Sequence, residues 1–150
     1  MSAAVGVDSE AEEAILELES GMNLVFRRAS IAWKESAALI HPELQPSGYK
    51  LLAHVVRMGT CNAHQLAELF DMDKSVISRQ MRQLEELDLI RSVPDERDGR
   101  LRVLTPTDEA RAALAHVREC NAARMRRVLE TLDADEIRTC AKVFRSLAEA

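Results

Sequence analysis

Five side chains between Lys74 and Arg82 could do chemistry together. Lys74, Ser75, Ser78, Arg79 and Arg82 fall on one face at helical spacing, opposite the apolar positions Ile77, Met81, Leu84 and Leu87 or Asp88. That face offers cations and small hydroxyls and no carboxylate. The major groove of duplex DNA is about 12 Å wide and its floor displays base acceptors, so a narrow helical edge of donors is what can enter it. Ser75, Ser78 and Arg79 meet that demand. The Arg79 guanidinium can give guanine O6 and N7 two parallel hydrogen bonds, worth about 1–3 kcal/mol of discrimination. Lys74 and Arg82 read as phosphate contacts that set register rather than sequence. For the stripe taken alone, a solvated helix face is the alternative.

The surrounding chain supplies elements to hold that edge. Apolar positions Ile15, Leu18, Met22, Val25, Ala29 and Ala32 step by three, four, three, four and three, close to the repeat of a helix–helix seam. This predicts a first helix ending near His41-Pro42, with a break or fray at Gly21, which costs about 1 kcal/mol relative to Ala. Residues 1–9 are small and polar without periodicity and read as a disordered tail. Pro46-Ser47 opens a second helix with Leu51, Leu52, Val55 and Val56 as its core face and Gly59 as its stop. Asn62 and Gln65 have the spacing of a capping box for a third helix striped by Ala63, Leu66, Ala67 and Phe70. After Asp71-Met72, Asp73 is placed to cap the fourth helix, Lys74 to about Leu87.

Leu89 to Val93 and Leu101 to Leu104 alternate like strands around the turn residues Pro94 to Gly99, which predicts a hairpin. Arg97, Arg100 and Arg102 balance Asp95, Glu96 and Asp98 there, so any use must come from geometry. Gly99 permits the positive φ that a tight tip needs. The run Thr105 to Glu109 starts a fifth helix with Ala110, Leu114, Val117, Met125 and Val128 on its apolar face. Asp133 to Glu136 starts a sixth, with Ile137, Cys140, Ala141, Phe144 and Leu147.

The order helix, helix, turn, polar helix, hairpin is that of a winged helix-turn-helix, and the chain resembles the MarR (multiple antibiotic resistance regulator) family of transcription factors over roughly residues 20–150. The resemblance rests on Leu66-Ala67, on Asp73-Lys74-Ser75-Val76-Ile77-Ser78-Arg79 followed by Leu84-Glu85, on Leu89-Ile90, and on Asp95-Glu96-Arg97-Asp98-Gly99-Arg100 leading to Leu104-Thr105. It implies a mainly α fold with a small β-hairpin wing, divided into a tail (1–9), an N-terminal dimerisation helix (10–45), a DNA-binding lobe (46–106) and C-terminal dimerisation helices (107–150). It further implies an intertwined homodimer acting as a repressor on a palindromic operator. Asp98 then braces the wing while Arg100, with Arg97 nearby, reaches the minor groove. Two departures stand out: Asp88 replaces a glycine common in the family, and the wing is shorter than the usual pattern.

Small aromatic or anionic effectors are implied for such proteins, and the residues suited to hold one are Arg27, Trp33, His41 and His54, with Arg28 as a second cation. No metal or other cofactor is expected, since His116 and Cys120 make only two ligands. Cys61, Cys120 and Cys140 are three widely spaced thiols without a CxxC pair and read as reduced and mostly buried. A redox role for Cys61 would require a lowered pKa and exposure.

Composition agrees with this class. Of 150 residues 47% are hydrophobic and 30% charged, while Gly (5), Pro (4) and aromatics (3%) are scarce, which favours amphipathic helices over a sandwich of strands. The formal charge of −5 excludes indiscriminate coating of nucleic acid but not a local basic edge. No apolar run approaches the roughly 18 residues of a membrane span, and the acidic start through Asp8, Glu10, Glu12 and Glu13 lacks an export signal, so a cytoplasmic protein is expected. GxSxG, GxxxxGK and HExxH are all absent, which argues against an enzyme. The stronger rival is a winged helix that binds another protein; steep loss of affinity with salt separates a DNA reader from it.

Overall fold

The computed structural model describes residues 9–150. In order these form α1 (Ser9–Ile40), α2 (Pro46–Met58), α3 (Ala63–Leu69), α4 (Lys74–Glu86), β1 (Ile90–Pro94), β2 (Arg102–Pro106), α5 (Asp108–Leu129) and α6 (Ala134–Glu149). The expected tail falls outside the described residues except for Ser9, which opens α1. No helix among the described residues is long and apolar enough to cross a membrane.

α1 runs through Gly21 without the expected break. The penalty of one glycine is local, and strong helix formers flank it on both sides. The helix ends where Pro42 biases His41 away from helical geometry. Pro46 occupies the first turn of α2, and Gly59 stops that helix at φ 78° with its N–H on the Val55 carbonyl. The Asn62–Gln65 capping box forms in full, with bonds of 2.8 and 3.0 Å. Asp73 does not cap α4 with its side chain; its backbone carbonyl instead accepts from Val76 and Ile77 N–H. Asp88 adopts φ 55°, the left-handed geometry that glycine takes most easily and Asp tolerates better than most residues, and Leu89 N–H reaches back to the Leu84 carbonyl at 2.9 Å.

One core gathers α2, α3, α4, the hairpin and the first half of α5. Leu51, Leu52, Val55, Leu66, Ile77, Leu84, Ile90 and Leu114 are its most buried members. Each such side chain contributes roughly 1.5–3 kcal/mol by leaving water. Val56, Phe70 and Leu87 are only half-buried against it, and Ala63 is exposed.

The two strands pair antiparallel from Ile90↔Pro106 to Pro94↔Arg102, slightly later in sequence than alternation predicts. Cys61 bridges to Leu104 beside them, through Cys61 N–H to the Leu104 carbonyl at 3.2 Å and the reverse bond at 2.7 Å. The wing is thereby anchored to the α2–α3 turn. Thr107 secures the other end. Its hydroxyl donates to the Asp88 carbonyl at 2.9 Å and accepts from Ala110 N–H at 3.2 Å, which ties the end of α4 to the start of α5.

Beyond this core the apolar stripes lack partners. α6 has no buried residue, α1 buries only Ser36 and Ala37, and on α5 the expected face splits, with Ala110, Leu114 and Val117 buried but Met125 and Val128 exposed. Of the cysteines Cys61 is buried, whereas Cys120 and Cys140 are exposed, contrary to expectation, because they ride on these unpacked segments.

Candidate nucleic-acid interface

Buried Ile77, Met81 and Leu84 seat α4 on the core, and Gln83 Nε2 fastens it further by donating to the Glu43 carbonyl at 3.2 Å. The opposite face is open. Lys74, Ser75, Ser78, Arg79 and Arg82 are all exposed, and among the described residues no acid forms an ion pair with the three cations. Unpaired guanidinium and ammonium groups on a rigid helix are available to an external anion or acceptor without first breaking an internal contact.

The wing tip is held by two aspartates rather than one. Asp95 Oδ1 accepts from Arg97 N–H at 2.7 Å and Asp98 N–H at 3.0 Å, while Asp98 Oδ1 accepts from Arg100 N–H at 3.1 Å. Those backbone donors keep the Asp95 carboxyl below the usual aspartate range. Gly99 does not take a positive φ, and a Cβ there would meet nothing within 4 Å, so the conformational reason expected for it is absent. Backbone bonds to the aspartates close the turn instead. Arg97 and Arg100 remain exposed at the tip. Arg102 is spent internally, with Nε on Ser92 Oγ at 2.9 Å and a second bond to the Ser92 carbonyl.

A third feature lies where α1, α2, α3 and α5 meet. Trp33, Tyr49, Lys50, Ala53, His54, Arg57, Phe70 and Arg118 line an open cavity of about 340 Å³. Lys50 Nζ stands 3.6 Å from the centre of the Trp33 ring. His54 meets Phe70 edge-on at 5.8 Å, and Arg57 lies 2.8 Å from its Nδ1. Burial, reinforced by the Arg57 charge, lowers the His54 pKa and favours the neutral ring. Of the expected set, Trp33 and His54 come together here, but Arg27 and His41 do not line the cavity. His41 Nδ1 accepts from Glu43 N–H at 3.1 Å, and Arg28 is taken by Glu35 at 3.0 Å. Lys50, Arg57 and Arg118 were missed. Lys50, His54 and Arg57 share a helical face at spacings of four and three, a signal present in the sequence, whereas Arg118 joins only through the tertiary fold.

His116 Nε2 and Cys120 Sγ are 3.7 Å apart on α5, and the described residues contain no group of three metal-ligating side chains. Burial raises the Cys61 pKa, which keeps it a thiol and opposes a sensing role.

Residues 44–101, from the α1–α2 turn to the wing, match the model of the MarR family. The winged lobe is thus similar to that of MarR-family proteins. A curated relative, the HTH-type transcriptional regulator YxaD of Bacillus subtilis (strain 168), is 28% identical over 107 residues, 71% of this chain and 75% of the relative. Among solved structures, YusO from Bacillus subtilis superposes with a TM-score of 0.74 at 23% identity, covering 93% of this chain and 98% of its own. A mutant MarR from E. coli complexed with operator DNA superposes at 0.64 with 16% identity, covering 89% and 95%. The MarR-like architecture therefore extends well beyond the lobe into the terminal helices.

Proposed function

We propose that this protein is a transcriptional regulator of the MarR family, a cytoplasmic homodimer that binds a palindromic operator in double-stranded DNA and represses transcription in response to a ligand or stress. In this reading α4 enters the major groove, with Arg79, Ser75 and Ser78 on base edges and Lys74 and Arg82 on phosphates, while Arg97 and Arg100 of the wing follow the adjacent minor groove. The observation that carries it is the exposed, acid-free donor edge of α4, held rigid by Ile77, Met81 and Leu84 behind it. Occupation of a promoter palindrome by such a protein excludes polymerase, which is the physical basis of repression.

A second copy is the occupant best suited to the unpartnered stripes. Val25 and Phe26 on α1, Met125 and Val128 on α5, and Phe144 and Leu147 on α6 are exposed and line two apolar grooves of about 320 and 400 Å³ or sit beside them. Exposed apolar surface on this scale marks an interface, and a two-fold pair presents α4 twice to one duplex. For the effector, the Trp33–His54 cavity offers aromatic walls with Lys50, Arg57 and Arg118 at its margin, chemistry that suits a small aromatic anion. Titrating a random-sequence duplex and a selected palindrome against increasing salt tests the reading. Tight, salt-sensitive binding with preference for the palindrome supports it, and affinity indifferent to salt contradicts it.

A further inference from the structure

On the outer side of the helix-turn-helix, α3 and α4 leave a cleft of about 240 Å³ lined by Ala63, His64, Lys74 and Ser78. Two of these, Lys74 and Ser78, stand one helical turn apart on the donor edge of α4. His64 comes from α3 and was not among the residues that the sequence singles out. Its side chain is 64% exposed, and its Nε2 lies 3.3 Å from Glu68 Oε1, one turn along the same helix. Ala63 is too small to fill the opening. The charged groups facing the imidazole are thus Glu68 from α3 and Lys74 from α4.

Resting on the DNA-binding reading above, we propose that His64, with Lys74 across the cleft, grips one backbone phosphate beside the bases that α4 reads. The chemistry is that of an anion site: an imidazole and an ammonium line one cleft from two helices, and Glu68, which does not line the cleft, holds the imidazole by its Nε2. The location selects phosphate rather than a base edge, because the first helix of such a motif crosses the backbone while the second occupies the groove. A contact shared between two helices also fixes the angle at which α4 enters, which one flexible lysine cannot do. His64 is therefore a positioning residue for recognition and carries no sequence information of its own.

The test compares the full-length wild type with H64A and H64K on a palindromic duplex enriched from a random pool and on a random-sequence duplex of equal length. H64A is expected to weaken both by a similar factor, about three- to tenfold, and H64K to restore binding, with a salt slope steeper than that of H64A by about one unit. A neutral methylphosphonate at the contacted phosphate should weaken wild type at least as much as H64A does, and should weaken H64A by a smaller factor than wild type. H64A binding both duplexes as wild type does, or H64K and H64A sharing one slope, overturns the proposal while leaving the DNA-binding reading intact. Wild type failing to prefer any duplex overturns that reading and this proposal with it.

Discussion

On the proposed reading, sequence discrimination falls to Arg79 and groove contact to Arg100. Arg79 projects from the middle of the α4 edge without an internal ion pair, so its replacement removes an outward contact and disturbs little else. Arg79→Ala is expected to weaken binding to the preferred palindrome by roughly 5- to 150-fold more than to random DNA, which competition binding measures. Equal losses on both would remove its reading role. Arg100→Ala should weaken binding to both and flatten the salt slope by about one unit; an unchanged slope would mean that the wing misses the duplex. The α4 edge was legible in the sequence because helical spacing alone segregates Lys74, Ser75, Ser78, Arg79 and Arg82. The wing brace was half legible. Asp98 plays its part, but Asp95 accepts two backbone bonds that only the folded turn brings within reach. Because the Asp95 pKa is lowered in the fold, its support is fully present above the ordinary aspartate value and is lost as pH falls through the depressed one. Protection of the Arg97 and Asp98 amides, measured as exchange relative to the intrinsic rate at each pH, should therefore fall in acid, and Asp95→Ala should show the lower protection already at neutral pH. Identical exchange in the two proteins at neutral pH would deny Asp95 the role.

At the level of elements, caps explain both what the sequence revealed and what it hid. Asn62 with Gln65 and Asp133 with Glu136 form complete capping boxes because both partners lie within one turn of sequence. Asp73 occupies the right position but leaves its side chain out of the cap, a choice that nothing in the local spacing specifies. Thr107 shows the opposite limit. Its capping of Ala110 N–H is local, whereas its bond to the Asp88 carbonyl joins groups 19 residues apart. That hydroxyl ties the end of α4 to α5, which continues past the Trp33–His54 cavity through Arg118. Thr107→Val should cost about 1–2 kcal/mol in urea unfolding, because it strands the part-buried Asp88 carbonyl and the Ala110 N–H of the first turn. Unfolding unchanged by the substitution would show that water replaces the hydroxyl at no cost. The uninterrupted α1 was misjudged at Gly21 for a related reason: an intrinsic penalty of one residue does not decide a helix 32 residues long.

On the proposed reading the terminal helices meet those of a second copy. The seam-like spacing from Ile15 to Ala32 raises the expectation of an interface, and Phe26 at 63% and Val128 at 64% exposure leave the apolar surface on which the proposed pairing rests. What spacing could not foretell is that α5 divides its labour, with its first half in the lobe and its second half beside α1. The aromatic and cationic cavity was likewise only partly legible, because four separate elements contribute to it. Val25→Asp combined with Phe144→Asp should yield a monomer by sedimentation that keeps its helical circular dichroism yet loses tight operator binding. A double variant that stays dimeric would move the interface elsewhere.

The pairing of two donor edges on one duplex is tested most directly by selecting bound sequences from a random duplex pool at physiological salt. Wild type should enrich an inverted repeat whose half-sites lie about 34 Å apart, and Arg79→Ala should fail to enrich it. Recovery of no preferred sequence, or of an unrepeated site that both proteins enrich equally, would contradict the role assigned to α4.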